Sequence, residues 1–81
     1  MSLQLRTAQT LIAEIEATLA ELEEAETLLQ RTKSGKAFIG FAGGIYIEVS
    51  RDEALEYIEK RKRSLRALLE KLRQEASKSK Q

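Results

Sequence analysis

Three groups of residues in this chain have the types and spacing that could do chemistry. Glu14 with Glu16, and Glu23 with Glu24, are paired carboxylates of the kind that divide general acid and general base roles. On a solvated helix they have no buried or charged setting that would tune them for catalysis, so they read as solubility charges. Ser34-Gly35-Lys36 is a fragment of a phosphate-cradling loop. Gln30, however, stands where G-x-x-x-x-G-K needs its first glycine, and Ala37 where it needs Ser or Thr. Lys60-Arg61-Lys62-Arg63 with Arg66 has the charge of a nucleic-acid patch, but helical geometry spreads these side chains around the whole circumference, beside an acidic neighbour. No nucleic-acid partner is expected.

Composition narrows the classes further. The chain has no Cys and no His, which removes disulfides, thiol nucleophiles, imidazole bases and the usual zinc, haem or iron–sulfur ligands. The reading is therefore a non-enzyme with no cofactor and no metal. Eighty-one residues allow one domain, spanning 1–81, and an elongated chain of that size needs a staple or a partner. Without cysteine, oligomerisation is the remaining common route. No basic segment followed by an apolar one opens the sequence, and the longest uncharged apolar run is far below the ~20 residues of a spanning helix. The expectation is a cytoplasmic protein without membrane contact.

The elements that would position any function are two amphipathic helices around a short apolar insert. Residues 4–31 carry a heptad seam of Leu5, Ala8, Ile12, Ile15, Leu19, Leu22, Glu26 and Leu29, with Leu11, Thr18 and Ala25 flanking it. Residues 51–76 carry a second seam of Leu55, Ile58, Lys62, Leu65, Leu69, Leu72 and Ala76, flanked by Ala54, Arg61 and Leu68. Ser50-Arg51-Asp52-Glu53 is a capping box that starts this helix, and 77–81 reads as a frayed tail. Folding the chain back at residue 42 matches Leu29 with Leu55, Leu22 with Lys62, Leu19 with Leu65, Ile15 with Leu69 and Ile12 with Leu72. The two seam defects, Glu26 and Lys62, then fall in adjacent layers, where mutual shielding of their charges would set the register. Residues 1–49 hold four basic and seven acidic side chains, and residues 50–81 hold ten and six, so an acidic arm lies against a basic one.

Between the arms, residues 36–49 read as a β-hairpin. A three-residue loop, Ala42-Gly43-Gly44, pairs Phe41 with Ile45, Ile39 with Ile47 and Ala37 with Val49, collecting the aliphatic residues on one face. A two-residue loop would mix them with Tyr46 and Glu48. The alternation, together with Glu48, favours a strand pair over a glycine-rich loop that dips into a bilayer. An isolated two-stranded hairpin is marginal in water and has two open edges. Phe38, Ile39, Phe41, Ile45, Tyr46, Ile47 and Val49 are therefore the candidate oligomerisation residues. The fold class is mainly α: an antiparallel two-helix coiled coil joined by one β-hairpin.

The run FAGGIYIEVSRDEALEYIEKR, Phe41 to Arg61, resembles the second hairpin and following helix of archaeal prefoldin α-type subunits. That family pattern is a glycine-rich turn, a short aromatic or aliphatic strand ending in Val or Ile and Glu, and a capped acidic helix. The resemblance implies hairpins that assemble into an inter-subunit β-barrel. It also implies an oligomer, a hexamer being favoured, with itself or a second prefoldin-type subunit. Such an assembly is an ATP-independent holdase chaperone that binds unfolded proteins at its coiled-coil tips and hands them to a group II chaperonin. The tips would hold Met1, Leu3 and Leu5 from the first arm and Leu72 and Ala76 from the second. The chain departs from the α-type layout in having room for one hairpin, as β-type subunits do, and short arms of about 40 Å at 1.5 Å per residue. A structural coiled-coil module that binds no client is the alternative.

Overall fold

The computed structural model describes residues 3–33 and 35–79, with the side chains of 3–6 and 79 outside the description. The chain runs α1 (Leu3–Arg31), β1 (Lys36–Phe41), β2 (Ile45–Ser50) and α2 (Arg51–Ser79). Neither helix contains glycine, and the chain has no proline, so nothing interrupts either backbone ladder. The sequence-based end of the second helix falls at residue 76, whereas α2 continues to Ser79. Ser77 and Lys78 are weak in packing but not helix-breaking, and Lys78 sits in the last turn, where a cation complements the helix dipole.

The two helices lie antiparallel in a body of 51 × 25 × 15 Å. Ile15, Leu19, Leu65 and Leu69 form the buried cluster, and Ile12, Leu22 and Leu72 pack on it. These residues are the layers that the fold-back pairing predicts. Burying a leucine or isoleucine in such a seam is worth about 1.5–3 kcal/mol. Lys62 interrupts the row at 6% exposure, and its Nζ donates to Glu26 Oε1 at 2.9 Å. Glu59 Oε2 stands 3.8 Å from the same ammonium. The expected adjacency of the two seam defects is thus a direct ion pair, and it leaves no buried polar side-chain atom unpartnered among the described residues.

The stem of the hairpin is held by backbone caps. α1 closes with Thr32, whose amide donates to the carbonyls of Leu28 and Leu29 at 3.0 and 3.3 Å, and whose hydroxyl donates to Leu28 at 2.8 Å. α2 opens with the predicted box: the Ser50 amide donates to Glu53 Oε1 at 3.0 Å, and the Glu53 amide donates to Ser50 Oγ at 3.1 Å. Arg51 then ties the two helix ends together. Its amide donates to Gly35 O at 2.8 Å, and its guanidinium reaches the α1 carbonyls of Leu29 at 2.7 Å and Gln30 at 3.4 Å. Carbonyls in a last helical turn have no partner within the helix, so a cation there supplies both a donor and dipole complementarity.

Candidate assembly surface

The hairpin register is Ala37 with Val49, Phe38 with Glu48, Ile39 with Ile47, Gly40 with Tyr46 and Phe41 with Ile45. This is the register of the three-residue loop. The Gly44 amide donates to Phe41 O at 3.2 Å, and Gly43 and Gly44 both take positive φ, +92° and +83°. Side chains with a Cβ rarely adopt those angles, which is why the loop needs two glycines in succession.

The two faces of this ribbon have different surroundings. Ala37, Ile39 and Val49 are half-buried at the stem end, while Phe41, Ile45 and Ile47 continue the same face toward the turn and are 42%, 59% and 49% exposed. Phe41 meets Tyr57 of α2 edge to face at 6.0 Å between ring centroids, which fixes the tilt of the ribbon against the helix. On the other face the Tyr46 ring lies over Gly40. A Cβ built on Gly40 would stand 2.8 Å from Tyr46 Cε1, so the missing side chain is the space the ring occupies. Tyr46 and Phe38 are 72% and 68% exposed, and the Lys36–Glu48 pair at 3.5 Å borders them.

Among the described residues, eight large apolar side chains are exposed, and five of them are Phe38, Phe41, Ile45, Tyr46 and Ile47. Of the seven residues expected to join subunits, the structure therefore presents five outward and tucks Ile39 and Val49 against the stem. Among the described residues no third strand joins the two-stranded sheet, so both of its edges are open there. Below β1, between the hairpin and the helices, is an open apolar groove of about 480 Å³ lined by Leu22, Ala25, Leu28, Leu29, Ala54 and Tyr57, with Arg61 at its rim.

The candidates at the opposite end are placed differently. Leu72 packs half-buried on the seam cluster and Ala76 is 9% exposed, so both are engaged in the arm as it stands. Met1 lies outside the described residues, as do the side chains of Leu3 and Leu5. Several of the residues that could suggest chemistry are engaged in the fold. Glu16 pairs with Arg73 at 2.6 Å, Glu23 with Arg66 at 3.9 Å and Lys60 with Glu56 at 3.7 Å, while Gly35 O accepts from Arg51 and Lys62 points into the seam. Among the described residues no three acidic side chains gather as metal ligands, and no helix is long and apolar enough to cross a membrane. Hydrogen bonds from the Ser50 backbone and side chain hold the Glu53 carboxyl below its usual value; this is the signature of a helix cap.

Sequence reading missed Arg51 as the clamp of the stem, because its reach to Leu29 and Gln30 exists only once the helices lie side by side. The pairing of Tyr46 with Gly40 was present in the register as a large residue opposite the smallest one.

A family model described as "Prefoldin subunit" matches residues 30–81, which cover the end of α1, the hairpin and α2. No curated protein and no solved structure matches the chain.

Proposed function

We propose that this chain, which belongs to the prefoldin subunit family, is a subunit of an ATP-independent holdase that assembles through its hairpin. Prefoldin subunits form oligomers with other prefoldin subunits, and theirs is a non-enzymatic chaperone family. The observation that carries the reading is the concentration of exposed apolar residues on a ribbon whose two edges are open, at one end of a charged arm. Pairing these edges with those of neighbouring subunits, identical or of a second prefoldin type, satisfies the backbone rows and covers Phe38 and Tyr46 in one step. The product is a closed barrel with arms extending from it, a hexamer being the favoured count, working in the cytoplasm.

Clients in this reading are unfolded proteins held at the far ends of the arms by Met1, Leu3, Leu5, Leu72 and Ala76, with release to a group II chaperonin. Because Leu72 and Ala76 are packed in the seam, client capture requires the last turns of the two helices to separate. Several weak contacts then act together through the platform. The same packing favours the second reading, an assembly module that holds no client.

Light scattering and an aggregation-suppression assay on the full chain and on a Phe38→Ser/Tyr46→Ser variant test both. The holdase reading expects an oligomer that protects an unfolding client, and loss of both properties in the variant. An unchanged mass in the variant would sink the hairpin platform. An intact oligomer that protects nothing even in excess would leave the structural module.

A further inference from the structure

The ribbon is carried by one helix only. β2 runs into α2 with no residue between them, and Phe41 rests on Tyr57 of that helix. Among the described residues, by contrast, no Cα of either strand comes within 8 Å of one in α1. The hairpin is therefore cantilevered from α2, and the groove below β1 is the gap left on the α1 side. Leu22, Ala25 and Leu28 line it from α1, Tyr57 from α2 and Phe38 from β1; Leu28 and Phe38 are 55% and 68% exposed. Its volume of about 480 Å³ lies within the range of about 300–1,000 Å³ common for clefts that bury a ligand. A lone exposed leucine needs no explanation, but an apolar concavity between rigid elements marks a contact site.

Charge decides what fits it. A second crevice, where Val49 of β2 meets the outer side of α2, is lined by charges that are already answered: Glu53 accepts from the Ser50 amide, and Glu56 pairs with Lys60 at 3.7 Å. In the groove below β1 the one charged lining residue is Arg61, which enters no ion pair among the described residues. An apolar trough with one unanswered guanidinium at its rim complements an apolar segment that carries a carboxylate and opposes one that carries an ammonium. The far ends of the arms offer less as they stand, since Leu72 packs on the seam and Ala76 is 9% exposed. An unfolded chain can therefore find apolar concave surface at the root of the arm before any helix turn has opened.

We propose that this groove binds a segment of an unfolded polypeptide that is apolar and bears Asp or Glu, making the root of the arm a client site in addition to its tips. The proposal rests on the holdase reading for its client and on the groove alone for its chemistry. Its probes are two dye-labelled, C-terminally amidated peptides, Gly-Ser-Leu-Val-Phe-Leu-Glu-Gly and the same peptide with Lys in place of Glu. Binding is read by fluorescence anisotropy on the full chain and on its Arg61→Glu and Leu28→Ser variants. Circular dichroism confirms helix in each, and light scattering gives the mass. The parent is expected to hold the Glu peptide about five-fold more tightly than the Lys peptide, and Arg61→Glu to reverse the preference. Leu28→Ser is expected to weaken both peptides. A parent without preference, or a preference that Arg61→Glu leaves unchanged, overturns the site. A fall in mass in either variant gives the groove to a second copy and overturns it too. Failure of the holdase reading shows separately, as peptide binding with the Arg61 preference in a chain that protects no unfolding client. Protection without that preference removes the groove and leaves the holdase.

Discussion

Replacing Glu26 by Leu is the sharpest probe of the seam. Lys62 is 6% exposed, and with Glu26 gone its ammonium keeps only Glu59 at 3.8 Å, a carboxylate whose side chain is 51% exposed. Removing one partner of a fully buried pair costs about 3–5 kcal/mol. Here the Glu26 side chain is 24% exposed, and the four-carbon stem of Lys62 can carry its head outward, so about 2–3 kcal/mol is expected. That lowers the melting temperature by roughly 10–20 °C for a domain of this size. Lys62→Leu leaves Glu26 able to turn to water and costs about 1 kcal/mol, while the double Leu chain is as stable as the parent or more so, because the desolvation penalty of both charges disappears. Urea unfolding of the four chains, all at one fixed protein concentration, gives a coupling energy of about 3 kcal/mol or more. A coupling below about 0.5 kcal/mol would refute the seam ion pair as a stabilising unit.

Two further outcomes follow from the stem. Arg51→Ala strips the donors from the Leu29 and Gln30 carbonyls and should cost about 1–2 kcal/mol in urea unfolding, with Arg51→Lys recovering only part because one ammonium cannot reproduce the fork. The Glu53 carboxyl is held low in the folded state, so its capping contribution is present above the unfolded value of 4.5 and fades as pH falls below it. A melting series from pH 6 to 3 on the parent and on Glu53→Gln, which cannot titrate, should show that this acid-side loss is smaller in the variant, and equal slopes would contradict the assignment.

Much of this molecule is legible in its residues because two periods, 3.5 and 2, are written without interruption. The seam from Ile12 to Leu29 predicts its own antiparallel partner, and the faces of Ile39, Phe41, Ile45 and Ile47 allow only an odd loop, which Gly43 and Gly44 then close. The Glu26 and Lys62 defects are conspicuous in the same way, as charges in an apolar row. What stays hidden depends on distances between elements. Arg51 looks like one more helix-start cation until α1 ends beside it, and Tyr57 looks like an exposed aromatic until Phe41 swings onto it. Leu11 and Leu68 stand on the sequence as seam neighbours. The bridges of Glu16 to Arg73 and Glu23 to Arg66 on the opposite flank likewise exist only once the helices are paired. The end of α2 resists sequence reading for another reason: Ser77 and Lys78 neither favour nor forbid helix, and composition alone does not place a terminus.

The equal length of α1 and α2, 29 residues each, has a consequence for how such an arm can change over generations. Adding seven residues to both helices between the Leu19–Leu65 layer and the far end inserts two whole seam layers, leaving the Lys62–Glu26 lock, the Arg51 clamp and the hairpin where they are. The arm grows by about 10 Å, at 1.5 Å per residue. The same insertion in one helix alone shifts every layer beyond it and strands Ile12 or Leu72 without a partner. Arm reach is thus a heritable quantity that changes in paired steps of one heptad, with the hairpin and its clamp left unaltered.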